Sequence, residues 1–280
     1  VRSRDGMASG RWRRLRALLR RPKAVCLLAL VVLGLTAALG GGAPRGLLQM
    51  AVAMAAAGSC DLALFRLRGE RLAVPDGALI TGAIVGMVLA SNSPLWLAPA
   101  VAAVAVASKH LIRLRRRHVF NPAAVGLFLA AAFGASESWW GDLAALPPAC
   151  VMVLVALAYA VLWRARRFAS FFAYMATFFA ICLAAGLMHS PLGADAFHNP
   201  ILNSTLFAAG FMASDPPTSP SRWLEQAAFG AVAASASAVV YLALGGLLYP
   251  FMGLMAANAL HAAIRARRRV LQSAQREAKA

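Results

Sequence analysis

The chain has 280 residues, 61% hydrophobic and only 14% charged, with a mean hydropathy of +0.67. Soluble domains carry about a quarter charged residues, so a soluble globular protein is excluded and an all-α integral membrane protein is expected. The formal charge of +18 does not point to nucleic acid: the basic residues sit between apolar runs, as in cytoplasmic loops, and no nucleic-acid-binding motif accompanies them.

The first segment, residues 1–23, holds nine basic residues and one acid, Asp5. It leads into "AVCLLALVVLGLTAALGG", Ala24–Gly41. A basic stretch followed by an apolar one is also the pattern of a secretory signal peptide. The apolar run is long for that role and many more follow, so a first transmembrane helix is the expectation. Nine further apolar runs are read at Gly46–Phe65, Asp76–Ser91, Pro94–Ser108, Val119–Ala135, Pro147–Trp163, Phe168–Met188, Pro200–Ala213, Glu225–Ala243 and Gly246–Ala263. Pro94–Ser108 and Pro200–Ala213 are shorter than the roughly 20 residues of a straight span. Short, proline-led segments predict broken or re-entrant helices, which are tolerated only where protein or a water-filled cavity covers them.

Charge orients these ten runs. With the N-terminus inside, 27 of the 28 Lys and Arg fall on the cytoplasmic side and only Arg45 on the other. The outer loops "SESWWGDLA" and "HSPLGADAFHN" contain neither Lys nor Arg. The positive-inside rule therefore predicts a multi-pass membrane protein with both termini cytoplasmic. Its domains read as a basic N-tail (1–23), a transmembrane domain (24–263) and a basic C-tail (264–280), the tails lying along anionic lipid headgroups. The four cysteines stand singly in apolar runs and none forms a CxxC pair, which fits buried structural thiols. Asp61 is the acid set inside an apolar run, and Arg66 or Arg68 is its expected partner.

Two motifs stand where apolar runs meet the cytoplasm. In "KHLIRLRRRHVFNPAAVGLFL", Asn121 is an apt helix N-cap and Pro122 an apt first helical residue. That reading needs no ligand. A functional one adds the unpaired N–H groups of a helix start and the charges of Lys109, Arg113, Arg117 and His118, together an anion site. In "FMASDPPTSPSRW", Asp215-Pro216 repeats the polar-proline step, with Thr218 and Ser219 adding hydroxyls. A proline-rich turn accounts for it equally well. Together the two suggest two five-helix repeats whose breaks meet at a shared site, and "NSPLWLAP" faintly echoes "NSTLFAAG".

The stretch "NSPLWLAPAVAAVAVASKHLIRLRRRHVFNPAAVGLFLA", followed by "FMASDPPTSP", resembles the NqrB/RnfD family, the membrane subunits of the sodium-pumping NADH:quinone oxidoreductase and the related Rnf complex. The resemblance covers about Asp76 to Ala263 and is nearest to stand-alone RnfD-like proteins. It is carried by Leu95, Trp96, Lys109, Asn121, Pro122, Phe211, Met212, Asp215, Pro216, Thr218 and Ser219. It implies a ten-helix fold that carries flavin, passes electrons to or from partner proteins and, in complete complexes, moves ions. It also implies FMN bound covalently to a threonine on the outer side ahead of the sixth helix. At that position this chain reads "SESWWGDLAALPPACV", with Ser136 and Ser138 but no threonine, so covalent FMN is expected to be absent.

The site expected from these readings comprises Lys109, Arg117, His118, Asn121, Pro122, Asp215, Pro216, Thr218 and Ser219, holding a non-covalent FMN or riboflavin, or a quinone. A transporter whose breaks frame a substrate path, and a cofactor-free membrane anchor for a redox or biosynthetic partner, are the alternatives. No histidine pair has metal-ligand spacing and no nucleotide-binding fingerprint occurs, so reductant has to arrive through another protein.

Overall fold

The computed structural model describes residues 21–41, 44–114 and 117–277. Prolines open several helices, since the missing N–H falls where no intrahelical partner exists. Helix α1 spans Pro22–Gly40, α2 Pro44–Leu67, α3 Asp76–Val88, α4 Leu97–Leu111 and α5 Pro122–Ala132. A 3-10 turn at Pro148–Cys150 leads into α6 (Val151–Ala165), followed by α7 (Phe168–Leu187) and the short α8 (Pro191–Asp195). Helix α9 (Ile201–Phe207) widens into a π turn at Ala208–Met212, and α10 (Trp223–Leu244) and α11 (Tyr249–Glu277) complete the bundle. Between α4 and α5, β1 (Arg113–Leu114) pairs antiparallel with β2 (Arg117–His118).

This is an all-α membrane protein. Among the described residues, five helical segments are long and apolar enough to cross a bilayer: Pro22–Gly40, Pro44–Leu67, Pro148–Ala165, Phe168–Leu187 and Trp223–Leu244. Four apolar helices are shorter: Asp76–Val88, Leu97–Leu111, Pro122–Ala132 and Ile201–Met212. At 1.5 Å per residue a 13-residue helix rises about 20 Å, against a hydrocarbon thickness near 30 Å. The short helices are wrapped by the long ones. Nine of the 13 residues of α3 are buried, most of them against α1, α2 and α4. Close approach requires glycine at such contacts: a Cβ on Gly86 would stand 2.5 Å from the Met50 Cα of α2, and one on Gly230 of α10 would strike the Ser170 carbonyl of α7.

Each of the ten apolar runs read from the sequence carries a helix. Helix α1 begins at Pro22, just ahead of its apolar run, and residues 1–20 lie outside the described residues. Helix α11 continues unbroken from its apolar run through Ile264 to Glu277. No proline or glycine follows Gly253 in that helix, and its Ala, Arg, Leu and Gln residues are strong helix formers.

The loop Ser136–Ala144, expected on the outer side, folds back on the helices. Trp139, 1% exposed, stacks on Phe251 with ring centroids 5.4 Å apart, and Trp140 donates from Nε1 to the Gly86 carbonyl at 2.8 Å. Trp139 and Leu143 take left-handed backbone conformations on either side of a 3-10 turn (Trp140–Asp142). This plug carries Asp142 into the interior, where Oδ1 accepts from the Ala144 N–H and Oδ2 has no protein partner. Burial pushes the Asp142 carboxyl up from 3.8 to about 7, against a smaller lowering by the Ala144 bond. A carboxyl with a folded pKa above its unfolded one favours the fold at acid pH and loses that advantage as pH rises through the folded value. Thermal melting in detergent should therefore fall between about pH 5 and about pH 8. Asp142→Asn should flatten that slope, with a gain at the higher pH on the order of 2 kcal/mol. Equal slopes for the two proteins would show that Asp142 stays ionised.

Candidate functional site

Asn121 joins three elements. Its Oδ1 caps α5 by accepting from the Ala124 N–H (3.2 Å), and its Nδ2 donates to the Met212 carbonyl at the end of the π turn (3.1 Å). Its own N–H donates to Oδ1 of Asn258 on α11 (2.9 Å), whose Nδ2 reaches the Thr218 carbonyl (3.3 Å). The capping role is thus realised, and with it a crossing between the two motifs. Asn258 completes it. A lone asparagine in the apolar run "LMAANALHAA" was its one visible signal.

The second motif is a turn closed on one carbonyl. The Asp215 C=O accepts from the N–H and Oγ of Ser219 (3.1 and 2.7 Å) and from the N–H of Thr218 (3.3 Å). The Asp215 carboxylate accepts from Thr218 Oγ1 (3.1 Å) and lies 3.8 Å from Nε2 of His118 on β2. Arg167, read from sequence only as a topology signal, is 7% exposed and donates from Nε to Ser219 Oγ at 3.0 Å. Burial pulls its guanidinium below the ordinary arginine value, and the Asp215 carboxylate opposes that.

Between the motifs lies a cavity of about 220 Å³ at the N-terminal ends of α1, α3 and α5. Phe65, Ile80, Ile84 and Phe211 give it apolar walls; Lys109, Arg113, His118 and Asp215 supply charge. It shares Pro22, Lys23, His118, Pro216 and Pro217 with an outer crevice of about 640 Å³, which Arg21, Asp76 and Arg117 also line. Lys23 and Asp76 form an ion pair of 2.8 Å there. Of the nine expected site residues, Lys109, His118, Asn121, Pro122, Asp215 and Pro216 line the inner cavity. Arg117 lines the outer crevice and not the inner cavity, while Thr218 and Ser219 sit behind the turn, facing Asn258 and Arg167 respectively.

Lys109 is not a free charge. Its Nζ lies 2.9 Å from Asp61 Oδ1, and the same oxygen takes Nε2 of His110 at 2.6 Å. Arg113 donates to the His110 Nδ1 at 2.7 Å. A guanidinium can only donate, so Nδ1 is the acceptor and Nε2 carries the proton toward Asp61. This corrects the expected Asp61 pairing with Arg66 or Arg68. Arg68 donates instead to the His110 carbonyl at 2.7 Å. Residues five and seven positions along the same helix stand about 8–10 Å up its axis, whereas α4 packs directly on the face of α2 that bears Asp61.

No protein-family model matches the chain, and no curated protein matches it.

Removing one member of a buried charge pair costs about 3–5 kcal/mol, because the other is left unpaired. Asp61→Ala should lower stability by that amount in detergent melts, while Arg66→Ala should stay within about 0.5 kcal/mol of wild type. A comparable loss in both would return Asp61 to the intrahelical pairing.

Proposed function

We propose that the chain is a membrane electron-transfer subunit of the NqrB/RnfD kind, holding a non-covalent flavin or quinone ring in the cavity between the two proline motifs. The observation that carries this reading is the two-chambered shape of the site. The inner chamber, about 220 Å³, is smaller than the roughly 300–1,000 Å³ of pockets that enclose a whole drug-sized ligand. Its aromatic and aliphatic walls suit one ring system. The outer crevice, with Arg21, Lys23 and Arg117, suits an anionic tail such as the phosphate of FMN.

The residues fit such a group. Phe65 and Phe211 would flank the ring, and Lys109 and His118 would balance its charge. A flavin or quinone supplies reversible storage of electrons, which side chains here do not. The chain provides burial, orientation and positive charge, and the electron donor is a separate redox partner protein or complex subunit.

The same reading includes ten membrane-crossing or membrane-entering segments in a bacterial inner membrane, both termini cytoplasmic, in two inverted five-helix repeats. Three features support the repeats. Helices α3 and α9 are both short; "LASNSPLW" follows α3 and "MASDPPTSPSRW" closes α9. Helix α1 packs on α6, and α5 on α11, so first helix meets first and last meets last. With five helices per repeat the second runs opposite to the first.

A transport path is the second reading. The buried polar cluster of Asp61, Lys109 and His110 beside a cavity framed by short helices favours it.

Purification in mild detergent, followed by a visible spectrum and analysis of the organic extract, separates the two. A flavin or quinone near one per chain is expected, and its absence from freshly prepared protein would favour the transport path. Arg117→Glu should reduce bound cofactor by roughly tenfold, as for a lost charge-assisted bond. No fluorescent band should survive a denaturing gel; one mapped to Ser136 or Ser138 would mean that serine takes the covalent link. A reporter fused after Ala144 should read as extracytoplasmic, and a cytoplasmic signal there would break the ten-segment arrangement.

A further inference from the structure

Sharing no lining residue with the candidate cofactor cavity, a second cavity of about 180 Å³ is enclosed by the cytoplasmic ends of α10 and α11. Phe229, Val232, Leu260 and Ile264 form its apolar part, and His261 and Arg265 its polar part. Leu260 and Ile264 are 47% and 42% exposed, so the groove opens outward from the bundle.

Its depth in the bilayer follows from two markers. Trp223, 69% exposed, begins α10, and tryptophans of this kind sit at the membrane interface. Glu225, two residues on, takes Arg268 of α11 at 2.5 Å, which sets the two helices level there. Arg265 precedes Arg268 by three residues and so lies about 4.5 Å deeper, and Val232 lies about 10 Å deeper than Glu225. The mouth is thus at the height of lipid headgroups and the floor runs into hydrocarbon.

The charges at the mouth are unevenly matched. Glu225 is held by Arg268 and lies 3.9 Å from Arg222. Arg265 is half-buried and, among the described residues, makes no ion pair. Arg117 and Arg269 act on it with like charge. A half-buried guanidinium without a counter-charge is costly, and an anion reaching it from the bilayer would relieve that cost.

We propose that this groove is a discrete binding site for one anionic phospholipid, its phosphate on Arg265 and His261 and one acyl chain along Phe229, Val232, Leu260 and Ile264. Arg265 and His261 also line a small crevice with Arg117 and His118. A bound headgroup would therefore neutralise charge next to the outer crevice of the candidate cofactor site. The lipid site itself stands whether or not a cofactor binds there.

Native mass spectrometry of the delipidated full chain, titrated with phosphatidylglycerol, phosphatidylcholine or inorganic phosphate, tests the proposal. One phosphatidylglycerol should remain bound under conditions that strip phosphatidylcholine. Arg265→Gln should lower its occupancy by about tenfold or more, as for a lost charge-assisted bond, with partial recovery in Arg265→Lys. Ala228→Phe, which fills the groove from its exposed lipid side, should do the same without touching a charge. Arg267→Gln, at an exposed position outside the groove, should bind as wild type. Equal losses in Arg265→Gln and Arg267→Gln would reduce the effect to the general attraction of a basic helix end. Equal binding of phosphatidylcholine, or displacement of lipid by inorganic phosphate, would likewise overturn it. Should Arg265→Gln fail to fold, Ala228→Phe decides alone: undiminished binding there sinks the proposal.

Discussion

A helix that ends inside a bilayer leaves up to four backbone groups at each end without partners, and water is not there to supply them. Among the described residues four apolar helices are too short to reach both surfaces, and much of the remaining architecture answers that constraint. At the C-terminal end of α3, the Gly86 carbonyl accepts from Gln49 and Trp140, Leu89 from Gln49, and Val88 from the N–H groups of Ser138 and Trp139. The loop Ser136–Ala144 is drawn inward because it carries these donors. At the start of α5 the same work falls to Asn121 and Asn258, which tie that helix to the end of the π turn and to the Asp215 turn. At the first turn of α9 the hydroxyls of Ser204, Thr205 and Tyr249 satisfy themselves on the Ile201 carbonyl and on one another, so that no buried hydroxyl there is left without a partner.

The candidate site is a consequence of those broken ends. Helices α3 and α5 begin, and the π turn after α9 stops, at the same level, so their ends frame a space that continuous helices would have filled. The turn at Asp215 and the hairpin of β1 and β2 then bring a carboxylate and His118 to its edge. Charge is managed by pairing rather than exposure: Asp61 binds Lys109 and His110 within the bundle, and Arg113 holds the other face of the imidazole. Lys109 therefore faces the cavity as a positioned charge, held by a neighbour that compensates its burial.

The composition, the ten apolar runs and the alternation of basic and acid-bearing loops were enough to read a helical membrane protein, because burial in lipid demands apolar sequence at every exposed turn of helix. Asn121 as a cap was legible for an equally local reason: a capping side chain bonds to a backbone group three residues away. The proline at each break was local too. Other features depended on which helix packs on which. Sequence proximity suggested Arg66 or Arg68 for Asp61, but the contact of α2 with α4 selected Lys109 and His110. Thr218 and Ser219, adjacent in sequence to Asp215, were turned away by a bend that closes on the Asp215 carbonyl. Asn258, Arg167 and Gln49 left almost no trace in the sequence, since their partners lie 37 to 137 residues away. The chain alone determined how much of itself must leave water and where its helices break, because those properties are set residue by residue. Only the tertiary structure decided which distant oxygen or nitrogen meets each broken end, because in a medium without water that choice belongs to whichever helix lies alongside.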